Sequence, residues 1–76
     1  MKKDFDYYLF WAEDFYEENY DELILLPSEM KVQIKCAHIL IDQGSNQDYQ
    51  KDGYELGKII WPAIEKRQKE VGYIHE

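Results

Sequence analysis

Apolar residues between Asp4 and Glu22 recur at three- and four-residue steps. Phe5, Tyr8, Leu9, Ala12, Phe15, Tyr16 and Tyr20 share one side of a 3.6-residue period, with no Gly or Pro among them. The pattern predicts a helix over about 4–23, with Asp4 placed to cap its start. Leu23 to Pro27 reads as an apolar connector, either the last turn of the first helix or a short extended piece, and Pro27 disfavours helical geometry at Leu26. A second helix is predicted over about 28–43, opened by Pro27 or Ser28, with Glu29 in its first turn and Gly44 as its stop. Met30, Ile34, Ala37 and Ile41 form one stripe on it, and Val32, Cys36, Ile39 and Leu40 a broader second one. Only Lys31, Lys35, His38 and Asp42 make a polar row. A helix apolar on most of its circumference is expected to be buried on more than one side, so this one reads as the central element and Ile34→Asp as an unfolding substitution. A strand is the competing reading, since Val32, Ile34 and Cys36 alternate with Lys31, Gln33 and Lys35. That alternation collapses from Ala37 to Ile41, and the helical pattern covers more residues.

Ser45 to Asp48 is a polar cluster suited to starting a helix. A third helix is predicted over about 47–71, with Tyr49, Leu56, Ile59, Ile60, Ala63, Ile64 and Val71 on one side and Gly72 at its end. Gly53 and Gly57 weaken it by roughly 1 kcal/mol each relative to Ala, or else let another helix come close. Pro62 removes a helical hydrogen bond and is expected to kink or split the helix; Tyr73 to Glu76 reads as a tail. The expected fold is all-α, a compact three-helix bundle spanning 1–76 as a single domain, with four helices if Pro62 splits the last.

A chain of 76 residues is too short for a TIM barrel or a dinucleotide fold. Its single cysteine cannot form an internal disulfide, which points to a reducing, cytoplasmic setting. Met1-Lys2-Lys3 is followed at once by Asp4 and Asp6, unlike a signal peptide, and no apolar run approaches the roughly 20 residues of a membrane span. The net charge of −7 argues against binding to nucleic acid or to anionic membrane. That charge is uneven. Residues 1–26 carry −6 of it and eight of the twelve aromatic residues.

Candidate chemistry is sparse. Cys36 and His38 could suggest a nucleophile and its base, but residues two apart on a helix point roughly 160° away from each other. His38 and Asp42, one turn apart, are too few for a metal centre, and no CxxC or HExxH motif accompanies them. Acidic pairs on the first helix lack a converging histidine. No phosphate-binding glycine motif is present, and Asp52 and Glu55 beside Gly53 and Gly57 would repel phosphate. The basic cluster Lys58, Lys66, Arg67 and Lys69 is diluted by Glu65 and Glu70 and suits an ordinary helix end. A helix–turn–helix reading would start its recognition helix at Asn46, Gln47, Asp48 and Gln50, a poor set in so acidic a chain. No enzymatic activity, cofactor or metal is expected.

The outer face of the first helix is the best candidate for function. Winding the chain at 100° per residue gathers Asp6, Glu13, Asp14, Glu17 and Asp21 in one arc, with Phe10 at its middle and Tyr7 near its edge. Unless Phe10 packs under the third helix, this is an apolar anchor with a charged rim, suited to a basic protein surface. The expected function is therefore a non-enzymatic inhibitor or regulator that engages a nucleic-acid-binding surface of another protein. Small acidic anti-host and anti-defence proteins of phages and mobile elements are similar in size and charge alone. The alternative is a homo-oligomeric helical module, for instance a homodimer, with no inhibitory role.

Overall fold

The computed structural model describes residues 4–44 and 48–72. It contains four helices: α1 (Phe5–Glu18), α2 (Tyr20–Leu23), α3 (Glu29–Asp42) and α4 (Tyr49–Val71). The fold is all-α, with no strand among the described residues. Met1 to Lys3, Ser45 to Gln47 and the Tyr73 to Glu76 tail lie outside the described residues.

Local chemistry sets the helix ends. The Asp4 carboxylate accepts from the Tyr7 backbone N–H at 3.0 Å, and the Ser28 hydroxyl from that of Lys31 at 3.3 Å. Gly44 follows α3 with φ +73° and Gly72 caps α4 with φ +83°, left-handed values that a residue with a Cβ adopts at a penalty. The predicted single helix over 4–23 is divided at Asn19. Both the backbone N–H and the side-chain amide of Asn19 donate to the Phe15 carbonyl, at 3.1 and 3.0 Å, and α2 starts afresh at Tyr20. Pro62, by contrast, does not split α4, which runs unbroken through it. Pro62 and Lys58 are both exposed, so the carbonyl left without its i+4 donor lies on the solvent side.

α4 is the spine, with α3 against one side and α1 against another. The core joins Tyr8, Ala12 and Phe15 of α1, Leu23 and Ile24, Val32, Cys36, Ile39 and Leu40 of α3, and Leu56, Ile60 and Ile64 of α4. Gly53 and Gly57 let α3 and α4 meet backbone to backbone. A Cβ on Gly53 would lie 2.5 Å from the Ala37 Cα, and one on Gly57 2.6 Å from the Gln33 Cα. The Gln33 side chain also donates across the seam to the Tyr54 carbonyl at 3.1 Å. Two polar side chains complete the interior. Asp52, fully buried, accepts from the Tyr8 hydroxyl at 2.8 Å, and Gln68 donates to the Ile24 and Leu26 carbonyls of the connector at 2.7 and 2.8 Å.

Two expected core assignments are corrected. Phe5 is 66% exposed, because α1 meets α4 through Tyr8 and later residues. α3 is buried along the Val32, Cys36, Ile39 and Leu40 stripe and against α4 at Ala37, but its other apolar stripe faces out: Met30 is 68%, Ile34 41% and Ile41 45% exposed. The helix is thus covered on one broad side only, and Ile34→Asp no longer places a charge in the interior.

These contacts set the signs of two sets of substitutions. Helix propensity alone would credit Gly57→Ala with about 1 kcal/mol of stabilisation. Overlap with the Gln33 backbone should outweigh it and lower stability by about 1–2 kcal/mol, a Tm drop of roughly 4–15 °C for a domain this small. A raised Tm would show that α3 and α4 are not in backbone contact. Ile34→Asp should keep the helical circular dichroism spectrum and lose no more than about 1–2 kcal/mol, whereas Val32→Asp, at a fully buried position, should unfold the chain.

Candidate functional site

The outer face of α1 follows from its inner one. Tyr8, Ala12 and Phe15 point into the core, so the opposite side of the same helix carries Asp6, Phe10, Glu13, Asp14 and Glu17, all exposed. Phe10 is 70% exposed and is not covered by α4. Its helical neighbours at three, four and seven residues are the four carboxylates. Among the described residues none of these acids is joined to a cation. Asp21 is also exposed, but it belongs to α2, beyond the break at Asn19, and extends the acidic surface from a separate element. Tyr7 is half-buried. Its ring meets Tyr8 and Trp11 edge-on at 5.4 and 5.8 Å, so it braces the edge of the face rather than standing clear of it.

The face is held rigidly from below. Tyr8 and Trp11 stack at 6.3 Å between centroids, and the Tyr8 hydroxyl is fixed by Asp52. At the far end the Arg67 Nε donates to the Tyr20 hydroxyl at 3.2 Å, tying α2 to α4. Burial, then the neighbouring Tyr20 and Glu70, push the Tyr16 phenol above its usual pKa against an opposing effect of Arg67, so it stays neutral beside the acids.

Where α1 meets α2, Glu17, Glu18, Asn19, Tyr20, Asp21 and Glu22 border an open concavity of about 470 Å3. It is rich in carboxylates, yet no group of three or more His, Cys, Asp or Glu side chains among the described residues converges as metal ligands would. The other candidates stand apart. Cys36 is buried while His38 is exposed on the opposite side of α3, so they do not form a nucleophile–base pair. Burial pushes the Cys36 thiol up to about 12, leaving it protonated and unreactive at neutral pH. Among the described residues, no third His, Cys, Asp or Glu joins His38 and Asp42 in a group that could hold a metal. In the basic cluster, Arg67 lies 3.6 Å from Glu70, and Lys58 lies 3.5 Å from Glu55. No described helix is long and apolar enough to cross a membrane.

Two features escape the sequence reading. Asp52 is a core residue, although it reads as a surface acid; the available signal was its i, i+4 relation to Leu56. The second is an apolar band along the α3–α4 seam, where Ile34 and Ile41 of α3 lie beside Tyr49 and Tyr54 of α4 and Met30 continues the band past Ile34, all more than a third exposed. The exposure of the Met30, Ile34 and Ile41 stripe depends on which side of α3 receives α4.

Native protein at pH 8 should therefore resist thiol-specific alkylation at Cys36, with labelling no faster than unfolding measured in parallel. Modification at the rate of an exposed cysteine would place Cys36 outside the core. Comparison of this chain with protein-family models, with curated proteins and with solved structures yields no match.

Proposed function

We propose that this chain is a non-enzymatic binding protein that uses the outer face of α1 to engage a basic surface on another protein. One observation supports the reading above the rest: Phe10, 70% exposed, stands amid the exposed carboxylates of Asp6, Glu13, Asp14 and Glu17 on a helix fixed to its scaffold. An exposed aromatic anchor supplies buried area on contact, and a rim of one sign steers an oppositely charged partner and fixes its orientation. Rigidity matters because a preordered face loses little conformational freedom when it docks.

Carboxylates repeated along a helix can occupy a cationic groove that would otherwise hold phosphates. The proposed partner is thus a protein whose basic surface binds nucleic acid, and the proposed outcome is its inhibition or regulation by occlusion. Asp21 and Tyr7 take supporting places: Asp21 lengthens the acidic surface, and Tyr7 borders the anchor.

Glu13→Lys combined with Glu17→Lys should leave the fold intact, since both residues are exposed, and should abolish capture of basic nucleic-acid-binding proteins from a cell lysate. Capture by the unaltered chain should weaken as salt rises past about 0.1 M, where the screening length falls to about 10 Å, and duplex DNA should compete for the captured partner. Equal capture by the double variant, or no competition by DNA, would overturn the reading.

A further inference from the structure

The α3–α4 band differs from the α1 face in both sign and shape. Ile34, His38, Ile41, Tyr49 and Tyr54 border a concavity of about 210 Å3, and it continues past Ile34 and His38 into a second of about 390 Å3 beside Leu26 and Met30. The first is smaller than the roughly 300–1,000 Å3 of a small-molecule site and is on the scale of a side chain. Lys31 and Lys35 border the second concavity. Lys51 and Lys58 lie three residues before and four after Tyr54, hence on its side of α4. Asp42 closes the polar row of α3, and Glu55 pairs with Lys58. The band is thus an apolar groove whose surroundings carry four lysines against the three acids Asp42, Asp48 and Glu55, on a chain whose net charge is −7.

The α1 face has the complementary design: one protruding aromatic with an acidic rim. The two cannot meet within one molecule. α1 packs on α4 beside Ile59 and Ala63, and Ala63 is nine residues, or roughly 180° of helix rotation, from Tyr54. A twofold pairing of groove against groove would bring lysine rims together. From this we infer that the chain associates head to tail with a second copy of itself, Phe10 of one molecule seating in the Ile34–Ile41–Tyr54 groove of the next. Because anchor and groove face away from each other, the contact is heterologous and leaves a free anchor at one end and a free groove at the other. The contact area is small, so association is weak and grows with concentration. It covers the same α1 face as the function proposed above, and so would compete with a basic partner; it does not require that such a partner exists.

Sedimentation velocity on the full chain, from micromolar to millimolar concentration, tests this. The mean mass should rise with concentration, and rise less at high salt. Phe10→Asp removes the anchor and Ile34→Asp the groove; each variant alone should remain monomeric, while their mixture should form a dimer and stop there, since one good anchor meets one good groove. If Ile34→Asp loses its helical spectrum, Met30→Glu, at a residue 68% exposed, replaces it, and failure of both to fold would overturn the assignment of this band as surface. An unaltered chain that stays monomeric throughout, or a mixture that forms no dimer, would overturn the inference. Ile34→Asp keeps the α1 face whole and should still capture basic partners from lysate. An unaltered chain that self-associates but captures no basic partner, or one that captures such a partner but stays monomeric, therefore tells which of the two proposals has failed.

Discussion

The backbone contact between α3 and α4 governs the rest of the molecule. With a Cβ at Gly53 or Gly57 the helices would have to move apart, because Ala37 and Gln33 already occupy that space. The closeness seats Val32, Cys36 and Leu40 together with Leu56, Ile60 and Ile64 in one interior. It also decides what stays outside. α4 lies along the Gln33 and Ala37 line of α3, so the neighbouring Met30, Ile34 and Ile41 line borders the seam without being covered by it.

That placement separates what could be read from the sequence from what could not. The three long helices and their caps were legible because their signals are local: Asp4, Ser28, Gly44 and Gly72 act within a few residues of themselves. The division at Asn19 was not, since it depends on two donors converging on one carbonyl rather than on any helix-breaking residue type. Nor was the survival of α4 through Pro62, which rests on which side of the helix meets water. The arc of acids around Phe10 follows from spacing alone, but the exposure of Phe10 depends on where α4 lies. The two stripes of α3 look alike in sequence, and only the docking of a partner helix ranks them.

Charge is arranged by element. The acids of α1 and α2 account for most of the net charge, while α3 and α4 carry the lysines beside an apolar seam. A small domain has little interior to spare, and this one uses buried residues from every helix, including Leu23 of the four-residue α2. The outward residues of α1 are consequently free of any structural duty, and a face free of structural duty can vary in charge without disturbing the fold.

The bond from Tyr8 to Asp52 joins residues 44 apart in the chain. Apolar surfaces slide over one another with little preference, and a helix displaced by one turn can often bury similar area. A carboxyl group sealed in the interior permits no such latitude, because a one-turn slip of α1 along α4 would take the tyrosine hydroxyl away from it. Asp52 therefore acts as a register key for the bundle. It sets the height at which α1 stands, and with it the height at which Phe10 is presented.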